Sequence, residues 1–242
     1  MPDSSPIGFP STMWTQVHQA GAPGGDAVLR RGALNGLIER YWKPVYWYLR
    51  LSQNRDDAAA RDLAQAFFLH LLETDVVAKA DPDRGRFRNF LKTSLKNYVV
   101  DAGRIENALR RGGDTLKIPL EDVDAGGGSL AAGRELGPEQ MFEREWRAAL
   151  VHNAIEAVRR RFIGTDREIY FEVFRAFNVE GAEQISYTGL AERFHISEDD
   201  VRNYLRVARR EFKDAVVAEI RETVGSGEEL ESELNELFRD LR

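Results

Sequence analysis

The chain contains no cysteine, so disulfide frameworks and thiolate metal sites are excluded. It has no apolar run near the roughly 18 residues that a membrane-spanning helix needs. Its first residues, MPDSSPIGFPSTMW, have neither the cationic start nor the apolar core of a signal peptide. We therefore expect a cytoplasmic protein with no membrane partner.

Catalytic motifs are also missing. The four histidines (His18, His70, His152 and His195) are far apart, and none lies in an H-E-x-x-H spacing. The segment GGGS at 126–129 lacks the lysine of a phosphate-binding P-loop. Nothing positive supports serine or carboxylate catalysis. We expect no enzyme, no cofactor and no metal site.

The composition is that of an ordinary globular protein, with 43% hydrophobic and 31% charged residues over 242 positions. Apolar residues recur at helical spacing, and no segment alternates as a strand does, which predicts an all-α fold. We expect two helical domains joined by a flexible linker. The predicted parts are an N-terminal extension at 1–25 with a short helix over Trp14–Ala20, a first domain at 26–110, a linker at 111–137, a second domain at 138–223 and an acidic C-terminal helix at 224–242. Pro44 is expected to interrupt the first long helix.

Positive charge is concentrated in one segment of an acidic chain. The net charge is −6, yet Arg84–Arg111 holds eight cations and only two acids. A helix here would place Phe87 and Phe90 on an apolar stripe, with Lys92 and Lys96 on the opposite face. Cations beside aromatic rings suit single-stranded DNA. A merely solvated lysine face is the plainer alternative.

The segment YTGLAERFHISEDDVRNYLRVARREF has the layout of a helix-turn-helix. Three residues, His195 to Ser197, separate two helices, and Ser197 with Asp200 forms an approximate capping box. The second helix has an apolar stripe and a basic face, as expected for a helix that enters the major groove. A plain helical hairpin with a solvated basic face is the alternative.

A third helix, predicted over Asp62–Glu73, buries Ala64, Phe67, Phe68 and Leu71 and leaves a polar face around Leu69. An apolar residue within a polar rim is typical of a helix that docks on a protein partner.

In this order, the three helices resemble those of a bacterial sigma factor of the sigma-70 class, in its extracytoplasmic-function (ECF) group and an ECF-like subset. DLAQAFFLHLLE resembles the helix that binds core RNA polymerase, and FRNFLKTSLKNYVVDAGR resembles the helix that melts the promoter and reads its −10 element. The helix-turn-helix resembles the domain that reads the −35 element. The resemblance covers roughly residues 28–220.

The resemblance implies a transcription initiation factor with three working surfaces, acting in the cytoplasm in association with the nucleoid. Core RNA polymerase would bind Asp62, Gln65 and Leu69. The −10 DNA, single-stranded after melting, would contact Phe87, Arg88, Asn89, Phe90, Lys92, Lys96, Asn97 and Arg104. The duplex −35 element would be read by Arg202, Asn203, Arg206, Arg209 and Arg210. An anti-sigma or other regulatory protein is left open as a further partner.

The sequence departs from the family at several positions. Phe90 replaces a common tryptophan, and His195 stands at a turn position usually held by glycine, which we interpret as structural. The acids Glu198–Asp200 weaken the expectation of strong −35 contacts. The added C-terminal helix, with leucines near a 3.5-residue period, is most simply explained by packing on its own domain. Docking on a partner and masking the basic face are the alternatives.

Two other functions remain open. One is a helix-turn-helix regulator that binds duplex DNA without RNA polymerase, which leaves Asp62–Glu73 and the basic helix without a role. The other is a sigma-like adaptor that binds protein alone, consistent with the acidic start of the recognition helix.

Overall fold

The computed structural model describes residues 27–74, 76–81, 85–109, 136–180, 186–224 and 226–240. The predicted N-terminal extension with its Trp14–Ala20 helix, and the predicted linker as far as residue 135, lie outside these residues.

The described residues form α-helices and one short 3₁₀ helix, with no strand among them, which confirms the all-α class. The helices are α1 (Ala27–Ser52), α2 (Asp57–Glu73), the 3₁₀ helix Val77–Lys79, α3 (Phe87–Leu109), α4 (Pro138–Phe162), α5 (Glu168–Asn178), α6 (Tyr187–Phe194), α7 (Glu198–Thr223) and α8 (Gly227–Asp240). Within this part of the chain, no helix is both long and apolar enough to cross a membrane.

Helix α1 passes through Pro44 without a break, so the predicted interruption there is wrong. Proline removes a backbone hydrogen bond and crowds the preceding turn, at a cost of about 3 kcal/mol. Here Pro44 is itself buried, and Tyr41, Val45 and Tyr48 on both sides of it are buried as well. Packing of this aromatic segment outweighs the local preference of proline.

The described helices divide into two compact units. One comprises residues within Met1–Ala149 together with Arg221–Arg242, and the other comprises Leu150–Ile220. The division falls inside α4, twelve residues beyond the predicted boundary at 138. The C-terminal residues group with the first unit and not with the helix-turn-helix, so the expectation that they pack on their own preceding domain is wrong.

An aromatic core holds the first unit together. The ring of Tyr41 on α1 lies edge-on to Phe87 of α3, with centroids 5.6 Å apart, and Trp42 stacks on Phe68 of α2 at 6.1 Å. Phe142 of α4 stacks on Tyr41 at 6.4 Å. Large buried rings contribute much to packing between these helices because each removes a large area from water.

The second unit has a separate core made by α5, α6, α7 and the end of α4. Its buried residues include Phe162, Phe171, Phe174, Leu190, Val201, Leu205 and Ala208. The predicted apolar stripe of α7 is confirmed: Val201, Leu205 and Ala208 are buried and Phe212 packs against them. This packing fixes which face of α7 points to solvent.

Candidate nucleic-acid and partner interfaces

The turn between α6 and α7 is a Schellman motif with histidine in the place of glycine. His195 has φ 54° and ψ 45°, in the left-handed region. The N–H of Ile196 donates to the carbonyl of Ala191 at 3.0 Å, and that of His195 donates to Glu192 at 3.4 Å. These bonds satisfy the last carbonyls of α6. The expected left-handed backbone at His195 is confirmed.

Helix α7 begins with the predicted capping box. The N–H of Asp200 donates to the Ser197 hydroxyl oxygen at 3.1 Å, and the N–H of Ser197 donates to the Asp200 carboxylate at 3.1 Å. The hydrogen bond from the Ser197 hydroxyl is the main reason why the pKa of Asp200 is lowered. Thr188 of α6 donates to Glu198 at 2.7 Å and joins the two helices across the turn. The start of α7 is therefore fixed in direction.

All five residues predicted to read the −35 element are exposed on the second unit. They follow one another at helical spacing on the side of α7 away from its core: Arg202, Asn203, Arg206, Arg209 and Arg210. Exposed guanidinium groups on one helix face can donate to base edges and phosphates.

The basic face of α7 is partly neutralised at its beginning. Arg202 pairs with Asp199 at 2.6 Å and with Glu198 at 3.1 Å. Arg206 instead donates to the Asn203 side chain at 2.8 Å, and Arg209 lies over the ring of Phe177 at 5.1 Å. The positive charge of Arg206, in the middle of the face, is therefore not neutralised by any acid among its described hydrogen bonds and ion pairs.

The predicted polymerase-docking residues lie away from the core face of α2. Asp62 is exposed, and Gln65 and Leu69 are half-buried. Ala64, Phe67 and Phe68 occupy the opposite, buried face. The helix starts at Asp57, earlier than predicted, because Asp56 caps it by accepting from the N–H of Ala59 at 2.8 Å.

The residues predicted for −10 DNA are divided between surface and core. Asn89, Lys96 and Asn97 are exposed, Phe90 and Lys92 are half-buried, and Phe87 and Arg88 are buried. Arg104 belongs to α3, but its side chain lies outside the described residues. The first turns of α3 therefore do not present a continuous open basic surface.

Acidic side chains surround the cations at the start of α3. The guanidinium of Arg88 makes two contacts with Glu233 of α8, at 2.8 and 3.1 Å, and a third with Glu143 of α4, at 3.3 Å. It also lies 4.1 Å from the ring centre of Trp146. Lys92 pairs with Glu143 at 2.5 Å. Of the predicted −10 residues whose side chains the structure describes, Asn89, Lys96 and Asn97 are the exposed ones.

Arg86 lies in the same cluster. It pairs with Glu233 at 2.7 Å and with Glu236 at 3.4 Å, and it donates to the Ser232 hydroxyl at 2.9 Å. Burial raises the pKa of Glu233 although Arg88 and Arg86 oppose the shift, and burial likewise raises the pKa of Tyr41 to about 12. The cluster is charged and largely shielded from water.

The acidic partners Glu143, Glu233 and Glu236 were not among the predicted site residues. The sequence does contain the signal for them, a run of acids in α8 and a run of cations before Lys92. It does not show that the two runs meet, because Arg88 and Glu233 are 145 positions apart.

No group of histidine, aspartate or glutamate residues that could hold a metal ion is found in the part of the chain that the structure describes. Comparison of the chain with protein-family models, with curated proteins and with solved structures gives no match.

Proposed function

We infer that the protein is a sigma-type transcription initiation factor. It binds core RNA polymerase, directs it to promoters with −35 and −10 elements, and aids opening of the −10 region. The observation that carries this proposal is the exposed basic face of α7, which follows α6 after a short hydrogen-bonded turn, as expected for the second helix of a helix-turn-helix.

Two further features favour a sigma factor over a simpler DNA-binding protein. The outer face of α2 offers exposed Asp62 and, two turns further along the same face, half-buried Leu69, as expected for a docking helix. Helix α3 carries Lys96 and Asn97 on an exposed surface, where a cation and an amide can contact the phosphates and bases of a single strand. RNA polymerase would supply much of the affinity, which accounts for a DNA-binding protein with net charge −6.

The proposal is tested by measuring the binding of labelled core RNA polymerase to the full chain and to the variant Asp62→Ala. Glu39→Ala removes the same charge from an exposed position on α1 and serves as the matched control. We expect Asp62→Ala to weaken polymerase binding severalfold and Glu39→Ala to leave it unchanged. If core polymerase does not bind the unaltered chain, the proposal fails.

A helix-turn-helix regulator that acts without polymerase is the second candidate. It is favoured by one observation: the basic face of α7 is open, whereas the cations at the start of α3 are paired with acids. Such a regulator would bind duplex DNA through Arg206 and would be indifferent to a change at Asp62.

A further inference from the structure

Helix α8 occupies the place at the start of α3 that an anionic ligand would need. It carries six acids and one cation in fourteen residues, and Glu233 in its middle is buried against Arg86 and Arg88. The side chains of Arg88 and Glu233 retain only 7% and 4% of their exposure, and Arg86 retains 17%. In this arrangement the guanidinium of Arg88 is closed to a ligand in solution, and that of Arg86 is largely covered.

The carboxylate of Glu233 contacts both Arg86 and Arg88. One oxygen of Glu233 lies 2.7 Å from Arg86 and 2.8 Å from Arg88, and the other accepts from Arg88 at 3.1 Å. Guanidinium groups bind carboxylate and phosphate through the same planar fork of donors. Glu233 thus has the chemistry of a substitute for a backbone phosphate.

Helix α8 is held within the first unit by this charged contact and by a small apolar contact. Leu237 is buried, while Leu230 and Leu234 are only half-buried. Removing a carboxylate from water is costly, and because of this cost burial raises the pKa of Glu233. A helix of fourteen residues is only marginally stable on its own, so α8 would lose its structure on leaving this site.

We propose that α8 is an autoinhibitory cover, in which Glu233 masks Arg86 and Arg88 until the phosphates of single-stranded DNA displace it. This inference rests on the proposed function, because it assigns the start of α3 to nucleic acid. It adds Arg86 to the proposed DNA-contacting residues and makes DNA binding by Arg86 and Arg88 depend on release of α8.

The test measures binding of a short labelled single-stranded DNA to the full chain over a range of salt concentrations. Glu233→Gln keeps the size of the side chain and weakens the mask. Glu231→Gln is the matched control, since it makes the same change in net charge at an exposed position of the same helix. Two additional phosphate contacts should steepen the slope of log K against log salt by about 1.4, at about 0.7 per contact on single strands.

The expected result is tighter binding and this steeper slope for Glu233→Gln but not for Glu231→Gln. Adding Arg86→Gln to Glu233→Gln should remove part of the gain. Glu236→Gln, which alters a more exposed partner of the same arginines, should give a smaller gain and serves as the second variant where Glu233→Gln does not fold. Hydrogen exchange provides a second readout: amides of 227–240 should lose protection in the unaltered chain when the DNA binds.

Equal binding by the Glu233→Gln and Glu231→Gln variants, with α8 still protected in the DNA complex, would overturn the masking role. That result would leave polymerase binding by Asp62 to be judged separately. A gain for Glu233→Gln in a chain that does not bind core polymerase would retain the mask and reject the sigma function.

Discussion

Both carboxylate oxygens of Glu233 contact the guanidinium of Arg88, at 2.8 and 3.1 Å, in a setting nearly closed to water. Removing one partner of a buried ion pair leaves the other charge uncompensated, which typically costs about 3–5 kcal/mol. Glu143 and Glu236 remain near Arg88 after the loss of Glu233, so the cost here should lie at the lower end.

We therefore predict that Glu233→Ala lowers the free energy of unfolding of the first unit by about 3 kcal/mol. The double variant Arg88→Met, Glu233→Leu should lose less stability than the summed losses of the two single variants, because no charge is then left buried alone. Tryptophan fluorescence during urea unfolding reports on this unit, since all four tryptophans lie before Leu150. Additive effects of the two changes would show that the pair is not coupled.

A second prediction concerns Glu145 of α4. The pKa of this carboxyl is raised above its ordinary 4.5 by burial, against the opposing charges of Arg144 and Lys43. A raised pKa in the folded state contributes stability at pH values below 4.5, and this contribution is lost as pH rises through the folded-state pKa.

Glu145→Gln cannot ionise, so its free energy of unfolding relative to the unaltered chain should increase as pH rises from about 4 to about 7. Urea unfolding monitored by tryptophan fluorescence at a series of pH values measures this difference. If the difference stays constant, or decreases, the carboxyl does not carry the expected cost of burial.

The left-handed turn at His195 yields a prediction of stabilisation. A residue with a Cβ atom at φ 54° is strained by about 1 kcal/mol, and the imidazole of His195 is exposed to solvent. His195→Gly should stabilise the second unit by about 1 kcal/mol, whereas glycine at an ordinary helical position destabilises it.

Hydrogen exchange of the amides in 187–212 measures this effect locally, and His195→Ala is the control. Alanine keeps the Cβ atom and should bring no gain. Reduced protection in the His195→Gly variant would show that the imidazole itself stabilises the turn.

The role of α7 is tested with Arg206→Ala. Arg206 is exposed at the middle of the basic face and has no acidic partner among its described hydrogen bonds and ion pairs. A bidentate contact between arginine and guanine contributes about 1–3 kcal/mol of base discrimination. We expect the variant to bind a −35 duplex about tenfold or more weakly and to discriminate less at one base pair.

Lys213→Ala is the matched control, because it removes an exposed cation farther along the same helix. It should weaken binding to all sequences equally and slightly reduce the salt dependence. The proposed contact of Arg206 with a base is contradicted if each variant loses as much affinity for unmatched duplexes as for matched ones.

How much the sequence could predict differs between the two units. In α7 the spacing of Val201, Leu205 and Ala208 defines the buried face, so the exposure of Arg206 follows from local periodicity. The capping of α7 by Ser197 is local for the same reason. Interactions within a few residues are readable without knowledge of the fold.

Two features of the first unit depend on partners that are distant in sequence. Pro44 argues locally for a helix break, and only its burial among aromatic residues keeps α1 continuous. Arg88 is a charged residue on the basic helix, so the sequence predicts that it is exposed. In the structure it is enclosed by side chains from two other helices: Glu233, Glu143 and Trp146. Because tertiary contacts decide both cases, the pattern of residues within a single helix could not predict either of them.

Transcription by core RNA polymerase on fragmented genomic DNA, with and without the protein, tests the central proposal most directly. We predict new, discrete start sites that share two upstream elements and that weaken with Arg206→Ala and Asp62→Ala. Start sites that are the same with and without the protein, although core polymerase binds it, would contradict a role in directing promoter recognition.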